Sequence, residues 1–247
     1  MKIKNENILI EIHNLYKSFG SNEVLKGVTL QLYENENLVI LGKSGSGKSV
    51  LIKCIVNLLE KDKGTIKVYN IEVDKEQTED LIKIRDKIGF LFQGAALYDS
   101  MTVRENLTFQ LTRSLLEVEE DKIETKIIEA LENVSMPDSI DKMPSELSGG
   151  MKKRIGLART LISNPKILLY DEPTTGLDPI TSNEISELIN YTKEKFKTSS
   201  IIISHDINCV KTVADRIIML KDGMVYKEGT LDEFLNDKDE YIQSFFK

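Results

Sequence analysis

The chain has 247 residues, enough for a large α/β core, and carries 33 Lys and Arg against 40 Asp and Glu, a net charge of −7. That balance argues against nucleic acid as the main partner. No apolar run nears the roughly 18 residues that span a bilayer, so a membrane role is expected only through a partner.

Residues 1–6 lack the apolar core of a signal peptide, which predicts a cytoplasmic protein. Cys54 and Cys209 lie in apolar helical patterns without a Cys or His at metal spacing, so both are expected as buried free thiols.

In chain order, residues 8–12 and 28–33 alternate apolar and polar, as half-buried antiparallel strands do. Between them, Lys17-Ser18-Phe19-Gly20 sets an aromatic before a glycine turn, open between local packing and stacking on a base. The apolar run 38–41 then leads into Gly42-Lys43-Ser44-Gly45-Ser46-Gly47-Lys48-Ser49, and an apolar-periodic segment opens at Val50. Strand, glycine loop and helix in that order match G-x-x-x-x-G-K-[ST]. Loop amides and the helix N-terminus there cradle phosphate oxygens, Lys48 reaches the terminal phosphates and Ser49 ligates magnesium. The pattern predicts triphosphate binding.

A β-rich stretch at 66–69, a charged helix at about 80–87 and a buried strand at 88–92 follow, the strand ending at Gln93. Ala95-Ala96-Leu97-Tyr98 is an apolar segment that needs a cover. From 102 to about 133 the pattern turns helical, with Val103, Leu107, Leu111 and Leu115 and then Ile123, Ile127, Ala130 and Leu131 at near-helical spacing. Pro137 and Pro144 bracket the break that ends this segment.

Leu147-Ser148-Gly149-Gly150 opens a further helix, with Ile155, Ala158, Leu161 and Ile162 on one face and Lys152, Lys153, Arg154 and Arg159 largely on another. Ser148 suits an N-cap, and a glycine-rich helix start is also a second anion site. The apolar strand 166–170 delivers Asp171 and Glu172 to its C-terminal edge, where α/β sheets place ligands. Asp171 fits a magnesium partner and Glu172 the group that polarises the attacking water. A turn through Asp178 enters a helix at about 181–195. The strand 199–204 ends at His205, open between a structural role and phosphate contact. A hairpin about Lys221-Asp222-Gly223 and a charged C-terminal helix complete the chain.

The order GKSGSGKS, Gln93, LSGGM, ILLYDE, GLDP and His205 resembles the ATP-binding subunits of ABC transporters over essentially the whole chain. The resemblance implies an α/β P-loop NTPase core with an N-terminal antiparallel β layer and an inserted helical subdomain. Its divisions would be a core of 1–93 and 164–230, a helical subdomain of 94–163 and a tail of 231–247. It implies ATP hydrolysis with Mg²⁺. Glu172 would be the catalytic base, His205 the switch on the γ-phosphate, Gln93 a metal and water contact, and Phe19 the aromatic on adenine. ATP would be held by Gly42, Ser44, Gly45, Ser46, Gly47, Lys48, Ser49 and Val50, with the metal on Ser49, Gln93 and Asp171. Ser148, Gly149 and Gly150 would serve ATP bound to a second copy, and Asp178 would lie along the same seam.

Met151 stands where the general signature has Gln. LSGGM, LFQGAALYDSMTVRENL and GLDPITS together look like the Mla branch, which energises MCE-associated lipid transporters. That branch implies a head-to-tail homodimer on membrane permease subunits at the inner face of the plasma membrane, with an MCE-type substrate-binding protein and a small regulatory subunit. The tail would pack on its own core or dock on that regulator, and self-packing is expected. Competing readings are another importer or exporter ATPase, a soluble mechanoenzyme or a small-molecule phosphotransferase. The mechanoenzyme lacks support from any long coiled-coil insertion, and the phosphotransferase leaves the second glycine-rich anion site unexplained.

Overall fold

A computed structural model of the chain describes residues 7–73, 78–114 and 118–246. β1 (Ile8–Phe19) and β2 (Asn22–Tyr33) form an antiparallel ribbon joined at Gly20, whose φ of 61° suits the tight turn. Both strands run well beyond the short alternating stretches expected from the sequence.

β3 (Asn37–Leu41) is buried at every position and feeds the glycine loop and α1 (Lys48–Ile55). β4 (Lys63–Val68) and β5 (Ile71–Glu72) return to the first layer, giving a sheet of order β2-β1-β4-β5 among the described residues. α2 (Thr78–Lys87) leads to β6 (Ile88–Leu91), with Gln93 two residues past its end.

The helical segment then comprises α3 (Val103–Arg113), α4 (Ile123–Asn133) and α5 (Gly149–Leu161). Thr102 and Glu105 close α3 with a reciprocal capping box, and Pro137 and Pro144 each open a short 3₁₀ turn between α4 and α5. Leu115, expected on the α3 stripe, lies outside the described residues.

The remaining core alternates strand and helix: β7 (Ile167–Asp171), α6 (Pro179–Phe196), β8 (Ser199–Ile203) and α7 (Ile207–Val213), then β9 (Arg216–Lys221) and β10 (Met224–Gly229). β3 lies between β8 and β9, all parallel, in a sheet of order β10-β9-β3-β8-β7-β6 among the described residues. Successive residues of a strand face opposite sides, which explains why these strands read as unbroken apolar runs. Val39, Leu41, Leu168, Tyr170 and Ile202 pack under the helices, whereas Leu38, Ile40, Ile167, Leu169, Ile201 and Ile203 pack against the antiparallel layer and α1. Both faces are covered, so neither needs polar side chains.

The C-terminal segment forms two short helices, α8 (Leu231–Leu235) and α9 (Glu240–Phe246). Phe234 and Ile242 are buried in the helix-side core, with Tyr241, Phe245 and Phe246 packed against it. The tail packs on its own chain through aromatic side chains, where the sequence reading had stressed its charge.

Candidate functional site

Parallel strands put their C-terminal ends on one edge of the sheet, and the loops leaving β3, β6, β7 and β8 there carry the chemistry-bearing residues. A cleft of about 780 Å³ opens at this edge. Gly42, Ser44, Gly45, Gly47, Lys48, Ser49 and Val50 of the glycine loop and α1 line it, together with Gln93, Glu172 and His205.

The glycines of the loop are there for steric reasons. A Cβ on Gly42 would stand 2.5 Å from the Leu220 carbonyl oxygen and 2.6 Å from Ser46 Oγ. Gly47 has a φ of 100°, and a Cβ there would meet Leu25 Cδ2 at 2.7 Å. Gly47 also occupies the N-cap of α1 without a side-chain cap, so the first amides of that helix stay free for an anion. The Lys48 ammonium turns back on the loop and donates to the carbonyls of Gly42 at 2.8 Å and Lys43 at 3.1 Å. Burial lowers its pKa, and the carboxylates of Glu172 and Asp171 oppose that shift.

Ser49 Oγ donates to Asp171 Oδ1 at 2.9 Å, which joins the start of α1 to the end of β7, although Asp171 is not among the residues lining the cleft. Glu172 follows in left-handed backbone, φ 52°, a conformation that costs a non-glycine residue about 1–3 kcal/mol and clusters at functional positions. Its amide donates to the Ile203 carbonyl at 3.0 Å. Its Oε2 lies 2.7 Å from His205 Nδ1 and accepts from Thr175 Oγ1 at 3.1 Å.

Ser46 Oγ is buried without a hydrogen-bond partner, and Ser46, expected to hold ATP, is not among the residues lining the cleft. The Ser49 hydroxyl and Asp171 carboxylate supply hard oxygen donors side by side, the set that Mg²⁺ prefers. Loop and donor set therefore fit a magnesium–triphosphate.

Other predicted residues stand apart. Phe19, at the end of β1, is 48% exposed, carries Lys17 Nζ 5.5 Å from its ring centroid and is not among the residues lining the cleft. Ser148 caps α5 by accepting from the Met151 amide at 3.3 Å, and neither it nor Gly149 nor Gly150 lines the cleft. Asp178 caps α6, accepting from the amides of Ile180 and Thr181 at 3.1 Å each. Its hydrogen bond from the Thr181 hydroxyl leads the causes that hold its carboxyl below the usual range. A Cβ on Gly150 would meet Thr181 Cγ2 at 2.4 Å, so the starts of α5 and α6 share one surface.

Three cations of the basic face of α5 meet the protein itself. Lys153 is buried and donates to the carbonyls of Gln93 at 2.5 Å and Glu172 at 3.1 Å. Arg159 donates to the carbonyls of Ala96 at 2.5 Å and Ala95 at 3.3 Å, both residues having left-handed backbone. Arg154 reaches the Val134 carbonyl at 3.1 Å and Glu184 at 2.9 Å. Charge pattern alone could not distinguish cations that meet water from cations that meet loop carbonyls.

Sequence reasoning also missed Asn22, Val24, Lys43, Ser244 and Phe245 in the cleft lining. The available signal for the last two was the i, i+4 aromatic pair Tyr241 and Phe245, whose rings meet edge-on at 5.4 Å. The Tyr241 ring receives Lys43 Nζ at 5.1 Å and Lys221 Nζ at 4.2 Å, and so seats α9 beside the glycine loop.

Comparison with known proteins agrees with this geometry. The ABC transporter family model matches residues 25–175. The chain is 37% identical over 238 residues to the glutamine transport ATP-binding protein GlnQ of Geobacillus stearothermophilus, covering 96% of this chain and 97% of that protein. It is 35% identical over 258 residues to the chloroplastic protein TRIGALACTOSYLDIACYLGLYCEROL 3 of Arabidopsis thaliana, covering 96% of this chain and 73% of that one. Among solved structures, cbiO1 of Clostridium perfringens, part of the transporter complex cbiONQ, superposes with a TM-score of 0.85 at 30% identity, over 97% of this chain and 94% of that one. The dimeric post-hydrolysis state of the cassette MJ0796 bound to ADP and Pi gives a TM-score of 0.81 at 32% identity, over 90% of this chain and 99% of that one. Agreement of this extent in both sequence and fold shows that the chain belongs to the ABC transporter family, as an ATP-binding subunit that hydrolyses ATP.

Proposed function

We propose that two copies of the chain close head-to-tail around two ATP molecules and energise membrane permease subunits that move phospholipid or another hydrophobic cargo, in a system of the Mla/MCE kind. One observation carries the two-copy reading. The glycine-rich start of α5 is a helix N-terminus of the kind that favours an anion, yet Ser148, Gly149 and Gly150 do not line the chain's own cleft. A second copy's γ-phosphate gives that helix start an anion, and the dimeric form of MJ0796 is a precedent in a similar cassette.

In this reading Lys48 leaves the Gly42 and Lys43 carbonyls for the β- and γ-phosphates, and the free amides of α1 and the unpartnered Ser46 hydroxyl turn to phosphate oxygens. Ser49, Asp171 and Gln93 would hold Mg²⁺, which supplies charge neutralisation on the phosphates. Glu172 accepts the proton of the attacking water, and His205, paired with it, orients that carboxylate and reaches toward the γ-phosphate. Asp178, bonded to the Thr181 that stands against Gly150, would lie on the seam between copies. ATP and ADP differ in affinity for the closed pair, and that difference is what drives a partner between states.

The lipid reading rests on the signature's Met151 and the segments around Gln93 and Asp178, and on the likeness to a plant protein named for a galactolipid. An MCE-type substrate-binding protein and a small regulatory subunit are the partners it brings, and it places the chain on the cytoplasmic face of the plasma membrane. The likeness to GlnQ favours a second reading, an amino-acid importer. Purifying the chain with its membrane partners and measuring ATPase activity separates them: stimulation by phospholipid supports the first and stimulation by a loaded amino-acid-binding protein the second. Ser148→Arg should abolish hydrolysis while each chain still binds ATP, and full activity of that variant would sink the two-copy mechanism.

A further inference from the structure

Lys153 sits one turn into α5 from the helix start that meets a second copy's ATP in the proposed mechanism. Its ammonium, however, lies in its own chain's catalytic neighbourhood. Lys153 Nζ is 2.5 Å from the Gln93 carbonyl oxygen and 3.1 Å from that of Glu172. These carbonyls belong to the loops leaving β6 and β7, which are adjacent parallel strands.

Three features set this contact apart from ordinary surface capping. Lys153 is only 5% exposed, so its ammonium has little water to fall back on and depends on these two carbonyls. Glu172 holds a left-handed backbone that must be over-determined by its surroundings, and the cation on its carbonyl is one of the contacts that fix it. Burial lowers the Lys153 pKa while the negative charges of Asp171 and Glu172 oppose it, so the ammonium also senses the catalytic carboxylates. The other cations of this helix go elsewhere: Arg154 reaches the Val134 carbonyl and Glu184, and Arg159 the Ala95 and Ala96 carbonyls.

We infer that Lys153 is a positioning residue for ATP hydrolysis, fixing the Glu172 backbone and the Gln93 loop from a single ammonium, and so linking the signature helix that serves one ATP to the water-activating carboxylate that serves the other. The link between the two ATP sites rests on the two-copy reading; the positioning of Glu172 within one chain does not. When α5 engages a partner's nucleotide, a shift of that helix moves Gln93 and Glu172 together, because both hang on the same nitrogen. An ordinary structural lysine on the polar face of α5 would carry no such consequence.

The test compares Lys153→Met, which keeps the stem and removes the ammonium, with Lys153→Gln, which retains a shorter donor. Misplacing a catalytic group by about 1 Å costs roughly a hundredfold, so Lys153→Met should lower kcat between ten- and a hundredfold. KM for ATP should stay within about twofold, since no phosphate contact is removed. Lys153→Gln should recover part of kcat. The second measurement is ATP-driven dimerisation in the Glu172→Gln background: Lys153→Met/Glu172→Gln should still dimerise, because the lysine acts on placement of a group already disabled. Unchanged kcat in Lys153→Met would overturn the inference, and so would loss of dimerisation in the double variant, which would mark a general structural role. If Glu172→Gln alone still hydrolyses ATP, the assignment of Glu172 fails instead, and the two failures are told apart.

Discussion

His205 Nδ1 and Glu172 Oε2 stand 2.7 Å apart, joining the ends of β8 and β7 in the cleft that the glycine loop also lines. A histidine at a strand end is ambiguous in sequence, and the structure gives this one Glu172, the carboxylate proposed to activate water, as its partner. The pair predicts unequal losses. Glu172→Gln removes the proton acceptor and should lower hydrolysis roughly a hundred- to ten-thousandfold while ATP binding, read by fluorescent-nucleotide titration, is retained. His205→Ala leaves the carboxylate in place but unoriented, so its loss in kcat should be smaller. Equal ATP affinity with wild-type turnover in Glu172→Gln would contradict the assignment.

Gly47→Ala tests the loop itself. The substitution puts a Cβ 2.7 Å from Leu25 Cδ2 and 3.0 Å from the Val24 carbonyl oxygen, on a backbone at φ 100°. Left-handed strain of this kind costs about 1–3 kcal/mol before the clash is counted. Because Gly47 begins α1, relief of the clash moves the Lys48 and Ser49 amides, and ATP binding measured by calorimetry should fall below detection even where the chain remains folded.

How much of this was legible in the chain depends on what each residue meets. The apolar runs of β3, β7 and β8 were readable because both faces of their sheet are covered, which leaves no polar position to blur the pattern. The loop from Gly42 to Ser49, Gln93, Asp171, Glu172 and His205 converged as their order suggested, since parallel strands place their ends together. The role of Lys153 was not legible, because a buried ammonium and a solvated one look alike in sequence, and the difference lies in two carbonyls from distant loops. The seat of α9 was likewise hidden, for Tyr241 meets Lys43 and Lys221 from far along the chain. The left-handed Glu172 carries no local signal either, being a non-glycine residue in a conformation enforced from outside.

The pairing of Arg216 with Glu36 should contribute measurably to the stability of the fold. Nε of Arg216 donates to Glu36 Oε1 at 2.6 Å and Nη2 to Oε2 at 2.8 Å, a two-pronged bond that ties the start of β9 to the turn before β3. Glu36 is only 9% exposed and also accepts from the Tyr33 amide at 3.0 Å. Glu36→Ala leaves Arg216 its pair with Glu228 and its bond to the Gln31 carbonyl at 2.7 Å, so the loss in urea unfolding is that of charge-assisted hydrogen bonds, about 1.5–3 kcal/mol. A loss near that of an exposed pair, below about 1 kcal/mol, would show that water replaces the carboxylate.

The two thiols give a pH dependence with a definite sign. Burial pushes the Cys54 thiol up from 9.0 to about 11, and burial likewise raises that of Cys209. Between those pH values the folded chain keeps a proton on Cys54 that the unfolded chain has lost, so the contribution to stability is present below pH 9.0 and disappears as pH rises toward about 11. Cys54→Ala should flatten the alkaline limb of the unfolding curve in that window. At pH 8, a thiol-reactive dye should leave both cysteines of the native chain unmodified and label both in denaturant, because the nucleophile is the thiolate.

Phe19 is where geometry and expectation differ most, and a binding measurement decides between its two roles. Its ring is 48% exposed, outside the cleft lining, yet β2, which follows directly after the turn, supplies Asn22 and Val24 to that lining. A base leaving the glycine loop past these residues would find the ring within reach of its open face. Stacking of a base on an aromatic ring contributes about 1–3 kcal/mol, so Phe19→Ala should raise KM for ATP roughly five- to a hundredfold with kcat unchanged. The melting temperature should hold, since a half-exposed side chain adds little to the core. An unchanged KM paired with a lowered melting temperature would make Phe19 a packing residue for the β1–β2 turn, and the adenine would then rest against the aromatic wall that Phe245 of α9 presents to the same cleft.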